Sequence, residues 1–228
     1  METAFRQAIA LISEGDAQLL NIIGVTLRMS ISSSIAALLI GVPLGVLLAR
    51  GKFAGRRALI VINRTLMGMP PVVCGLICFM LFSGVGPLRH LKLLFTVRAM
   101  IIAQIILITP LIIGSTETYA AGIAGVVDET ARGLRLSGPK TFALTVNECR
   151  YQIISIYLLG FSRAIAEVGA VSMVGGAIAW KTNVMTTAIM MYTNMGNFTL
   201  GVALGMILLA MALVLNIAVY ILQTVMDR

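Results

Sequence analysis

Arg163 and Glu167 are the first residues whose types and spacing suggest chemistry, because both fall inside a long apolar run, 153–178. Four positions apart on a helix, they share a face and can pair. Arg163 lies about ten residues, or about 15 Å, into that run at helical rise. Glu167 follows one turn later. These two are read as the only charges deep in an apolar run. Charge at that depth is costly and faces either a packed interior or a water-filled path. The pair therefore locks helix packing, lines a route for a polar solute, or does both. If it is tight, losing Glu167 alone costs more than losing both partners.

A second group, Thr65, Gly68, Pro70, Pro71 and Gly75, lies in the run 59–83. Two consecutive prolines free backbone carbonyls and must bend a helix, and the small residues leave room beside them. The group either lines the same route or only shapes the helix to fit its neighbours.

Nothing in the chain is arranged to make or break bonds. His90 is the single histidine and has no ligand-type neighbours; Cys74, Cys78 and Cys149 cannot form a closed disulfide set. No phosphate-cradling GxxxxGK[ST] loop is present. The chain is expected to be no enzyme and to hold no metal or cofactor. If it drives transport, another subunit must supply the energy.

The elements that position these residues follow from composition. Of 228 residues, 59% are hydrophobic and only 11% are charged, against about 25% charged in an ordinary soluble domain. Most of the surface must face lipid. The apolar runs are long and continuous, not the alternating ten-residue segments of a membrane barrel, so the fold class is all-α, polytopic, in the cell membrane. A span needs about 20 apolar residues, and five runs qualify: 29–49, 59–83, 99–119, 153–178 and 200–222. Residues 1–16 lack a basic start and a cleavage site, and read as an amphipathic leading segment. Residues 179–199, with Lys181, Thr182 and Asn183, read as a loop. No repeat divides the chain, so residues 1–228 form one transmembrane domain.

The net charge of +8 is better explained by topology than by nucleic acid, since cytoplasmic loops concentrate Lys and Arg. Arg50, Lys52, Arg56, Arg57, Arg132, Arg135, Lys140, Arg150 and Arg228 fall on one side; Arg6, Arg89, Lys92, Arg98 and Lys181 fall on the other. The first side is therefore cytoplasmic and the N-terminus outside. Arg28 and Arg64, at run ends, read as interface anchors. The cytoplasmic side carries 124–150, the longest stretch that must live in water, with Asp128, Glu129, Arg132, Arg135, Lys140, Glu148 and Arg150 among apolar residues at helical spacing. Such an insertion gives a soluble partner a place to grip.

That insertion resembles a known motif. Asp128 to Gly138, DETARGLRLSG, is similar to the EAA loop of ABC-importer permeases, which docks into the ATPase subunit. Glu129 and Ala131 match its Glu and second Ala; Thr130 replaces the first Ala, the motif's glycine falls at Arg135, and its downstream Pro is replaced near Glu148 and Cys149. Residues 65–75, TLMGMPPVVCG, and 160–170, GFSRAIAEVGA, resemble segments of the oxyanion permeases, as do Gly86-Pro-Leu, Leu93-Leu-Phe-Thr, Met173-Val-Gly-Gly, Thr186-Thr-Ala-Ile and Gly196-Asn-Phe. The resemblance spans nearly the whole chain. It is nearest to the tungstate permeases, and molybdate and sulfate permeases share part of it.

It implies a type I importer-permease (MetI-like) fold. It also implies a homodimer in the bilayer, bound to cytoplasmic ABC ATPase subunits and to an extracytoplasmic oxyanion-binding protein. Coupling to the ATPase then falls to Asp128, Glu129, Ala131, Arg132, Gly133, Leu134, Ser137 and Gly138. The translocation path falls to Thr65, Gly68, Pro70, Pro71, Gly75, Arg163 and Glu167, and contact with the binding protein to Lys181, Thr182 and Asn183. The alternatives are the same architecture carrying molybdate or sulfate, an uncoupled anion channel, and a structural membrane subunit.

Overall fold

The computed structural model describes residues 6, 9, 10 and 13–226, and all of their regular structure is helical. The leading segment 1–16 lies largely outside the described residues. Three helices are long and apolar enough to cross a membrane, and two bent pairs bring the number to five if each pair is one span. The five apolar runs coincide with these elements, but their boundaries and breaks differ from expectation.

Helix α1 (Ala17–Arg50) begins well before position 29 because the Asp16 carboxylate accepts the Leu19 amide at 2.9 Å and caps it. Its 34 residues extend about 51 Å, beyond the roughly 30 Å of hydrocarbon. Helices α2 (Arg56–Met67) and α3 (Pro71–Phe82) meet at 99°. The expected kink is thus a full break. Pro71 is the first residue of α3, where its missing N–H costs nothing. It forces Pro70 before it into extended geometry, ψ 129.

A 3-10 turn (Arg89–Leu91) precedes α4 (Val97–Gly133), capped by Thr96, whose Oγ1 accepts the Ala99 amide at 3.3 Å. α4 does not stop near 119. Good helix formers continue it, and Ala120, Val127 and Ala131 keep one buried stripe along the extension. After a turn come α5 (Gly138–Glu148), α6 (Arg150–Ile165) and α7 (Gly169–Gly175), the last two bent by 58° across residues 166–168. Then follow α8 (Met185–Asn194) and α9 (Phe198–Met226).

The supposed loop 179–199 therefore contains a helix, α8, whose first turn is buried. Val184, Met185 and Ala188 are fully enclosed. Its polar residues bond inside the protein: Thr187 Oγ1 donates to Asn183 Oδ1 at 2.9 Å, and the Met185 amide donates to Thr26 Oγ1 of α1 at 2.9 Å. Most of its buried polar groups are thus satisfied within the protein, Asn183 Nδ2 being the exception.

The central seam joins α1 and α4, which run parallel at a constant offset of 71 positions. Ser33 Oγ donates to Gln104 Oε1 at 2.6 Å, and residues 41 and 45 face 112 and 116 at the same offset. A Cβ on Gly41 would lie 2.6 Å from Ile112 Cγ2, and one on Gly45 2.6 Å from Thr116 Cβ. Only glycine allows that approach. Gln104 Nε2 also donates to the Ala164 carbonyl at 2.7 Å, so one buried amide ties together α1, α4 and α6. A second close contact joins α3 to α7, where a Cβ on Gly75 would sit 2.7 Å from Ala170 Cα.

Candidate coupling site and translocation path

The C-terminal end of α4 is built by a tight reversal. Helical geometry ends at Gly133, and Arg135 turns the chain with φ 51, in the left-handed region. The Leu136 amide then donates back to the Ala131 carbonyl at 2.8 Å, satisfying a helix-end acceptor. Ser137 precedes α5, and its carbonyl accepts the Thr141 amide at 2.9 Å.

Of the residues assigned to coupling, Glu129, Arg132, Gly133, Leu134, Ser137 and Gly138 are exposed, and Leu134 is 66% exposed. Ala131 instead points inward. Asp128 is engaged by Arg50 of α1 at 2.5 Å, and its carbonyl accepts Arg132 Nε at 3.2 Å. Sequence reasoning missed Arg50, Lys52 and Thr141, which join Asp128, Arg132 and Arg135 around an open groove of about 790 Å³. Arg50 was legible only as a charge at a run end. Burial pushes the Cys149 thiol up, and neighbouring Glu148 adds to the shift; at 1% exposure it is a packing group.

Arg135 occupies a conformation that favours glycine, and it stands where the EAA motif has its glycine. Arg135→Gly is expected to stabilise the protein by about 0.5–1 kcal/mol, raising the melting temperature in detergent by about 2 °C. An unchanged or lower melting point would show that Arg135 makes compensating contacts.

Among the path residues, the structure brings the two helix breaks together. A Cβ on Gly169 would lie 3.3 Å from the Val72 amide nitrogen and 3.6 Å from Glu167 Oε1. Val72 and Gly75 thus pack on Gly169 and Ala170, just past Glu167, whereas Thr65 is exposed on α2 and Gly68 is the exposed cap at its end. Thr65 Oγ1 is engaged with the Val61 carbonyl at 3.0 Å.

Glu167 does not sit on an unbroken helix face. It lies in the 166–168 break, 5% exposed, with Oε1 accepting the Ala170 amide at 3.2 Å. Its carbonyl accepts Thr186 Oγ1 at 2.8 Å. Arg163 Nη2 reaches Glu167 Oε2 only at 4.0 Å, and its side chain is 47% exposed. The expected tight pair is therefore loose, because the break turns Glu167 toward α7. A double-mutant cycle on Arg163 and Glu167 should give a coupling below about 1 kcal/mol. Glu167→Ala alone should cost more than Arg163→Ala, since it strands a buried amide; a coupling of several kcal/mol would contradict this geometry.

Glu117 is a further buried charge, near the end of the run 99–119, that the sequence did not single out. It is 7% exposed on α4 and faces Arg56 Nη2 at 3.6 Å and Arg64 Nη2 at 3.9 Å. Arg64 is thus an ion-pair partner as well as a residue at a run end. Sequence position hid the cluster, because its members come from different helices.

At the opposite end, Lys181 is exposed beside Trp180, but Thr182 and Asn183 are each 1% exposed. Thr182 Oγ1 donates to the Gly175 carbonyl at 2.6 Å. Of the three residues assigned to binding-protein contact, only Lys181 reaches the surface.

Residues 41–228 match the family described as binding-protein-dependent transport system inner membrane component. The chain belongs to that family. The permease is 33% identical over 219 residues to the tungstate uptake system permease protein TupB of Peptoclostridium acidaminophilum, covering 96% of each chain. It is 36% identical over 212 residues to TupB of Campylobacter jejuni, covering 93% of this chain and 89% of that one. Its fold matches a chain of the MetNI methionine ABC transporter, solved in inward-facing conformations, with a TM-score of 0.74 at 19% identity; the match covers 91% of the permease and 96% of that chain. That likeness shows the MetI-like fold alone. The permease is a multi-pass protein of the cell membrane.

Proposed function

We propose that this chain is the membrane permease of an ATP-driven importer that carries an oxyanion, tungstate, into the cytoplasm by alternating access. Residues 1–228 act as one transmembrane domain, with 124–150 as the coupling segment. The permease works as a homodimer, with cytoplasmic ABC ATPase subunits below and an extracytoplasmic oxyanion-binding protein above. It performs no hydrolysis itself. The N-terminus lies outside.

The observation that carries this reading is the extension of α4 beyond its apolar part, ending in a reversal that offers Glu129, Arg132 and the exposed Leu134 to a partner. A single continuous rod can convey force from that end into the bilayer. The named tungstate permeases, similar over almost the whole chain, support the choice of anion. The apolar exposed side of α2 and α3, with Val61, Ile62, Val72 and Met80, supports pairing with a second copy.

The decisive experiment copurifies the permease with its ATPase and binding protein and measures which oxyanion stimulates ATP hydrolysis in liposomes. Tungstate is expected to act at lower concentration than molybdate or sulfate. Stimulation by sulfate or molybdate alone would replace the substrate and keep the architecture. Anion flux through the permease without the ATPase would overturn the reading in favour of a channel.

A further inference from the structure

The α1–α2 connection is fastened at both ends to one face of α4. At its start, Arg50 holds Asp128 at 2.5 Å; at its far end, Arg56 and Arg64 of α2 face Glu117 at 3.6 and 3.9 Å. Glu117 and Asp128 are eleven positions apart, about three turns, and so lie on the same stripe of α4. Arg56 does more than pair. Its Nε donates to the Leu48 carbonyl at 2.5 Å and its Nη2 to the Ala49 carbonyl at 3.2 Å, so it also gathers the last turn of α1.

Further along, α2 packs on α4 without charge. Asn63 Nδ2 donates to the Pro110 carbonyl at 3.0 Å, and Met67 fits against Gly114, where a Cβ would meet its sulfur at 2.5 Å. Asn63 is the only buried residue of α2. Beyond Met67 the chain breaks by 99° into α3, whose first turn packs on Gly169, just past Glu167. α3 is held to α4 separately, by Cys74, Cys78 and Phe82 buried with Ala99, Met100, Ala103 and Leu107. Glu117 therefore bears on the α2 half of the arm, where it makes the only ion pairs to α4 among the described residues. With Glu117 at 10% exposure and Arg56 at 31%, that pair is the less screened; Arg64, 67% exposed, adds less.

We propose that Glu117 is a positioning residue for transport: it makes α2 move with α4, so that displacement of the coupling end is passed along α2 to the break before α3. This rests on the importer-permease reading and adds a residue that touches neither the ATPase nor the anion. Uncoupling, more than inactivity, is its signature.

The test uses the complete transporter of permease, ATPase and binding protein in liposomes, measuring uptake and ATP hydrolysis on the same preparation. Glu117→Gln is expected to copurify with the ATPase and to keep hydrolysis, while uptake per ATP falls about tenfold, the scale of a typical coupling between sites. Reversing the cluster, with Glu117→Arg, Arg56→Glu and Arg64→Glu together, is expected to recover uptake per ATP relative to Glu117→Arg alone. Spin labels on Val61 and Val126 of these proteins read the arm directly. Their separation should broaden in Glu117→Gln and sharpen again in the reversed cluster. Unchanged uptake per ATP and an unchanged label distance in Glu117→Gln would overturn the proposal. So would a parallel loss of uptake and hydrolysis that the reversed cluster fails to repair. Failure of the importer reading looks different: the wild-type chain would then not bind the ATPase, or would carry anion without it.

Discussion

Gly75→Val is expected to remove most of the folded permease from the membrane, with any surviving fraction melting far below wild type. The added Cβ alone would lie 2.7 Å from Ala170 Cα and 3.3 Å from the Ala170 carbonyl oxygen. Both obstacles are backbone, so no rotamer change relieves them. The contact joins α3 to α7, the second halves of the two broken spans, and each half is short. Overpacking a close contact costs about 3 kcal/mol when the neighbours cannot yield. In a chain of this size that lowers the melting temperature by roughly 6–12 °C. Gly84→Ala is the control, because nothing lies within 4 Å of its would-be Cβ. Thermal melting in detergent and membrane abundance check the pair. A Gly75→Val protein that melts with the Gly84→Ala control would mean that α3 and α7 are not in contact.

The second large effect is on coupling. Glu129→Lys is expected to leave the permease in the membrane at normal abundance while ATPase-driven uptake falls roughly tenfold to a hundredfold, the range for disrupting a charge at a docked interface. Glu129 is exposed near the end of α4, four positions before the helix ends at Gly133. Its replacement leaves the Arg50–Asp128 contact and the Leu136–Ala131 reversal in place. The fold should be indifferent and the partner should not. Copurification of the ATPase, measured beside uptake, separates weaker docking from slower transport. Full uptake by the Glu129→Lys protein would place the ATPase contact elsewhere.

Much of the architecture can be read from residue order, because a bilayer admits few solutions. Long apolar runs located the three long helices and the two bent pairs, and the polar residues from Asp128 onward marked the exposed end of α4. What remained hidden depended on neighbours distant in sequence. Thr182, Asn183, Thr186 and Thr187 look like loop residues, yet each is buried beside α8 or within it. Pro70 and Pro71 announce a distortion, but whether it is a gentle bend or a 99° corner is decided by what Gly75 packs against. Glu117 looks like a residue at the margin of a span until Arg56 and Arg64 are brought beside it. Glu167 was found at once with its partner, but not how loose the pair is: a break of three residues gives Oε1 to the Ala170 amide and leaves Arg163 at 4.0 Å from Oε2.

The α1–α4 seam works like a rack whose teeth permit only certain displacements. Gly41 and Gly45 are one turn apart, and so are the Ile112 and Thr116 side chains that fill the hollows they leave. Sliding by a fraction of a turn would drive a branched side chain into a neighbouring tooth. The next comfortable setting lies a whole turn away, about 5.4 Å, and would pull Gln104 off Ser33. Below that threshold the two rods travel as one body, so a thrust delivered to either arrives undiminished at the other.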